Sequence, residues 1–113
     1  MALTENVDLK TNSMLVYTIT VNVERSVSED WFLWMKENFL GAIIRTGFFE
    51  RYNLFKVLHD SDGDTFTFQF YCRDILMFEQ FRDECKTDIL QSLMDSYPGQ
   101  VVYFNTMLEE VHI

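Results

Sequence analysis

Two histidines, two cysteines and a few acid clusters are the residues of this chain best suited to chemistry. His59 closes a strand-like run beside a turn and His112 is the penultimate residue, so neither is placed to act as a general base or a metal ligand. The run "DSDGD", Asp60 to Asp64, superficially has the form of a calcium loop. Such a loop needs glycine at its sixth position and a bidentate acid at its twelfth. Counted from Asp60, those positions hold Thr65 and Tyr71, which leaves Asp60, Asp62 and Asp64 at most a weak cation site. Asp62-Gly63 is instead the preferred pair for a two-residue hairpin turn. Glu109 and Glu110 read as solvated carboxylates at a strand end, because a perturbed acid needs burial. Cys72 and Cys85 show neither a CxxC pattern nor metal-ligand spacing, and read as two reduced, mostly buried thiols. There is no GxGxxG, P-loop, GxSxG or HExxH run, so nucleotide, acyl-transfer and zinc-protease chemistry have no local support. No cofactor and no metal is expected. What remains is a polar set, Asn22, Gln69 and Tyr71, whose use depends on the elements that carry it.

Those elements are legible from periodicity. From Met14 the chain alternates strictly, with Tyr17, Ile19, Val21 and Val23 on one face and Val16, Thr18, Thr20 and Asn22 on the other. "RSVSEDW" then opens a helix, with Ser26 or Ser28 as a capping serine and Glu29 and Asp30 in the first turn. Trp31, Trp34, Met35, Asn38 or Phe39, and Ala42 form one stripe, which reads as core and not as a ligand wall. Phe32 and Leu33 lie off it. Gly47 ends the helix. "RYNLFKVLHD" is a second strand, read with Phe55 and Val57 on one face and Leu54, Lys56 and Leu58 on the other. The third, "TFTFQFYC", sets Phe66, Phe68 and Phe70 against Thr65, Thr67, Gln69 and Tyr71. A long helix follows, capped by Asp74, with Phe78, Phe81, Cys85, Ile89 and Leu93 facing inward and Pro98-Gly99 beyond its end. "VVYFNTMLEEV" is the last strand.

The order β-α-β-β-α-β predicts an α+β, ferredoxin-like domain over residues 14–113, preceded by a flexible arm over residues 1–13. In that fold both helices cover one face of a four-stranded antiparallel sheet and leave the other open. The open face is expected to carry Val16, Thr18, Thr20, Asn22, Leu54, Lys56, Leu58, Thr67, Gln69 and Tyr71. The last strand adds either Tyr103, Asn105 and Met107 or Phe104, Thr106 and Leu108. Such a face is too apolar for water and too polar for a plain core, so a homodimer joined through it is expected. Asn22, Gln69 and Tyr71 would then line a cavity between the sheets, open to a small organic ligand.

The ordered runs "VYTITVNVE", "WFLWM", "TGFF", "FTFQFYC" and "FNTMLEEV" span nearly the whole chain after its leader. Together they resemble a small bacterial family, a domain of unknown function of the dimeric α/β-barrel, ferredoxin-like superfamily. The resemblance implies the fold and the dimer and carries no activity. The superfamily also holds cofactor-free monooxygenases and haem-degrading enzymes, so an oxygenase using the same cavity is the alternative expectation.

Eighteen acids against nine bases give a net charge of −9, which disfavours nucleic acid and anionic membrane surfaces as partners. No run of apolar residues is long enough to span a membrane, and the first residues lack the pattern of a secretory signal. The expectation is a cytoplasmic binding or regulatory module without catalysis, taking a small molecule or a protein as its partner.

Overall fold

A computed structural model describes residues 13–59 and 62–113. The arm expected over residues 1–13 lies almost wholly outside the described residues, as does Asp60 of the acidic turn. Four strands, β1 (Leu15–Val23), β2 (Arg51–Lys56), β3 (Asp64–Cys72) and β4 (Val101–Glu109), form one antiparallel sheet in the order β2-β3-β1-β4. Helix α1 covers residues 28–45 and helix α2 residues 75–96. The expected ferredoxin-like architecture is present.

Alternation makes β1 and β3 the centre of the core. Tyr17, Ile19, Val21 and Val23 lie opposite Phe70, Phe68, Phe66 and Asp64, all on the helix-covered side. Trp31, Met35 and Phe39 of α1 and Phe78, Phe81, Leu90 and Leu93 of α2 close over them. The rings pack edge to face and tilted, Phe39 at 5.2 Å from Phe68 and Phe49 at 4.9 Å from Phe81, arrangements the ring quadrupole favours. Of the "WFLW" run, Trp31 is fully buried in the core, Phe32 and Trp34 pack half-buried against it, and Leu33 is exposed.

Each helix contains one π turn at mid-length, Lys36–Leu40 in α1 and Arg82–Lys86 in α2. A π turn takes in an extra residue, so the apolar stripe shifts by one position on passing it. That is why the second half of α2 buries Leu90 and Leu93, while Cys85 and Ile89 of the simple stripe are only half-buried. Asp74 caps α2 as expected, its Oδ1 accepting from Met77 N at 3.0 Å. At the start of α1 neither serine does this. A 3-10 turn, Arg25–Val27, enters the helix, Ser26 donates to Glu24 and Ser28 turns inward to the carboxylate of Asp64.

The expected phase of β2 is corrected. Leu54 lies opposite Phe68 and Lys56 opposite Phe66, on the helix-covered side, whereas Arg51, Asn53 and Phe55 face the open side. The cause is the hairpin. A two-residue turn at Asp62-Gly63 would put Phe55 opposite Phe70; the observed register instead connects Lys56 to Asp64 through seven residues. That difference is odd, and an odd slip exchanges the faces of a whole strand. Val57 and Leu58 lie past the end of β2.

Lys56, read as an open-face residue, instead serves a charge cluster at the helix side. Asp64 is 3.5 Å from Arg25 Nε and 3.7 Å from Lys56 Nζ. The Ser28 hydroxyl, then the two cations, hold its carboxyl below the usual value of 3.8. A depressed carboxyl stabilises the fold above its unfolded pKa, and that contribution is lost as pH falls through the folded value. Asp64→Asn should therefore lower the urea midpoint at pH 7. The gap to wild type should close as pH falls below 3.8. A gap constant from pH 7 to pH 3 would show that the charge is not what matters.

Candidate functional site

The sheet register settles which face of β4 is open. Val102, Phe104, Thr106 and Leu108 lie opposite Asn22, Thr20, Thr18 and Val16, so the second of the two expected sets is the right one. Rows of side chains then cross the open face. Arg51, Tyr71, Val16 and Leu108 form one; Asn53, Gln69, Thr18 and Thr106 the next; Phe55, Thr67, Thr20 and Phe104 a third. Thr65, Asn22 and Val102 complete it.

Gln69 and Tyr71 meet on this face, as alternate residues of one strand must. Tyr71 OH donates to Gln69 Oε1 at 3.3 Å. Asn53 Nδ2, reaching from β2, donates to Tyr71 OH at 3.1 Å and to Gln69 Oε1 at 3.4 Å. The Arg51 guanidinium lies 3.6 Å from the centre of the Tyr71 ring, a cation stacked on a π face. Beside this cluster, Thr18 Oγ1 is buried and has no hydrogen-bond partner among the described residues.

Asn22 does not join them. It shares the face but sits opposite Thr65, four residues along β3 from Gln69, about 13 Å at strand rise. Its Nδ2 donates to Asp62 O at 2.7 Å and Thr65 Oγ1 at 2.9 Å, which ties down the end of the β2–β3 turn. Gly63 completes that turn with φ +84°, and a Cβ there would come within 2.6 Å of Val23 O.

Arg51 and Asn53 are the functional candidates that sequence reasoning missed, because both depend on the phase of β2. The available signal was Leu54 and Tyr52, a two-residue apolar spacing that competes with Phe55 and Val57 in the same run.

Chemistry elsewhere is sparse. His59 follows β2 with φ 62°, and His112 Nε2 lies 3.7 Å from Glu110; neither belongs to a strand of the open face. Burial, with Asp74 and Glu50 nearby, pushes the Cys72 thiol up to about 11, away from the reactive thiolate. Both cysteines are free. Burial, with Tyr103 nearby, pushes the Tyr17 hydroxyl upward against the opposing hydrogen bond from Asn105, so it stays protonated. Among the described residues no three His, Cys, Asp or Glu side chains are grouped to hold a metal ion. No helix among them is long and apolar enough to cross a membrane.

A four-stranded sheet with two helices on one face and an open face carrying amides, a tyrosine and large apolar side chains is a ferredoxin-like protein. Residues 14–111 match the model of the Domain of unknown function (DUF4286), and the chain belongs to that family. No curated protein matches. Solved structures similar to it include an ethyl tert-butyl ether d (ethd) family protein of Bacillus halodurans, with TM-score 0.65 and 9% identity over 86% of this chain and 99% of that one. A dimeric ferredoxin-like protein of unknown function from Thermobifida fusca aligns with TM-score 0.59 and 10% identity over 86% and 92% of the two chains. A hydroxynitrile lyase from Passiflora edulis gives 0.56 and 15% over 88% and 97%. At such identities the likeness is one of fold.

Proposed function

We propose that the chain is a non-catalytic binding module, a homodimer formed by two open sheet faces, with a small organic ligand held between them beside Tyr71, Gln69 and Asn53. One observation carries this reading. Phe104, Val102, Phe55 and Leu108 are 65%, 60%, 52% and 45% exposed, all on a face that no helix among the described residues covers. A solvated antiparallel face is normally polar, and several large apolar side chains left exposed on one face mark an interaction surface. The Thermobifida fusca structure, described as dimeric, supports a second copy as the cover. The absence of either histidine from the strands of this face favours binding over acid–base catalysis. A cytoplasmic setting, where Cys72 and Cys85 stay reduced, belongs to the same proposal.

Light scattering at micromolar concentration should give roughly twice the 13.5 kDa chain mass. A single-chain mass under those conditions would refute the reading.

A further inference from the structure

We infer that the cluster around Arg51 receives the carboxylate of an aliphatic organic acid; this rests on the dimeric binding reading above and names its ligand class. The starting point is charge. The chain has eighteen acidic and nine basic residues, yet the strand residues forming the open face include no Asp or Glu. Arg51 is the one charged strand residue there. The other four arginines each lie against a carboxylate: Arg25 by Asp64, Arg45 by Glu37, Arg73 by Glu50 and Arg82 by Asp83. Arg51 has no such partner among the described residues.

Closing two copies face to face would bring two guanidinium groups into one interface without an acid from the strands that face it. An unpaired charge taken out of water is costly, so an anion is needed with it. Stacking on Tyr71 leaves the guanidinium N–H edge free, and its planar fork matches a carboxylate better than a point charge does.

The neighbours point the same way. Tyr71 OH donates to Gln69 Oε1, and Asn53 Nδ2 divides its hydrogens between Tyr71 OH and Gln69 Oε1, which leaves Gln69 Nε2 to donate outward. Thr18 lies directly opposite Gln69, its buried hydroxyl still without a partner among the described residues. Gln69 Nε2 and the Arg51 guanidinium are thus the donors that a carboxylate oxygen would meet at this spot. From Arg51 the row runs on over Tyr71 to Val16 and Leu108, three strand spacings or about 14 Å of increasingly aliphatic surface. A carboxylate head at Arg51 puts a hydrocarbon tail across the nearly buried Val16 and onto the exposed Leu108.

The test titrates octanoate and its neutral counterpart octanamide into the full chain by calorimetry, with light scattering on the same samples. Octanoate should bind wild type. Octanamide on wild type, and octanoate on Arg51→Gln, should each bind about tenfold more weakly or worse, the loss of one charge-assisted contact. Arg51 is exposed, so the variant should keep its fold. Equal affinity for octanamide, or unchanged affinity in Arg51→Gln, would overturn the inference. So would a wild-type dimer that ignores octanoate, including one that Arg51→Gln dissociates, where a carboxylate of the second copy would be the partner. A single-chain mass would instead overturn the dimeric reading beneath it.

Discussion

Trp31→Ala should cost the domain about 3–5 kcal/mol, a large part of the stability of a chain this size. Trp31 has no exposed surface, its ring centre lies 5.5 Å from that of Phe66, and it belongs to the core cluster beneath α1. Truncation removes the largest fully buried side chain, and the surrounding rings cannot collapse far into the space. The indole N–H has no partner among the described residues. Trp31→Phe discards that unsatisfied donor along with some volume, so it should lose clearly less than Trp31→Ala. Trp34, half-buried on the same helix, should fall between wild type and Trp31→Ala when truncated. Urea unfolding followed by circular dichroism measures all three. Wild-type unfolding by Trp31→Ala, coupled with loss of a binding activity, would make that residue a ligand contact instead.

The paired variant Phe55→Asp, Phe104→Asp should convert the proposed dimer to a folded single chain at micromolar concentration. The two rings stand at opposite ends of one row, with Thr67 and Thr20, whose hydroxyl oxygens are 3.4 Å apart, between them. Burying a phenylalanine contributes about 1.5–3 kcal/mol, and symmetry uses each position twice. Two added carboxylates per chain would also face each other across the junction. Together these should weaken association by about a thousandfold or more. Both rings are more than half exposed, so far-ultraviolet circular dichroism should be unchanged. A variant that keeps twice the chain mass would place the junction on another face.

Most of the framework was legible because its carriers alternate without ambiguity. In β1 and β3 one parity is almost wholly apolar and the other rich in threonine and amide, so phase and face follow directly. Asp74 and Gly47 mark helix ends by local chemistry that the structure repeats, Gly47 with φ 79°. The edge strand was different. In "RYNLFK" Leu54 and Phe55 are adjacent, so either parity can be called apolar, and an edge strand is too weakly buried to choose. The choice fell to the turn, and the turn is longer than its strongest dipeptide suggests. The same error hid part of the site: Gln69 and Tyr71 were visible as alternate residues of β3, whereas Arg51 and Asn53 became visible only with the correct register. Asn22 was put on the right face at the wrong distance, because alternation gives the side of a sheet and says nothing of position along it. The π turns left no signal in the sequence beyond an apolar stripe that drifts.

In the proposed dimer, the face whose strand residues include no acid would also govern how two copies approach. Each molecule carries −9, so at long range two copies repel, and the repulsion is weakest when they present the sheet rows around Arg51 to each other. Encounter would thereby be biased in orientation before any contact forms. Added salt, which shortens the reach of charge to about 10 Å at 0.1 M, then speeds the meeting of like molecules while relaxing that bias.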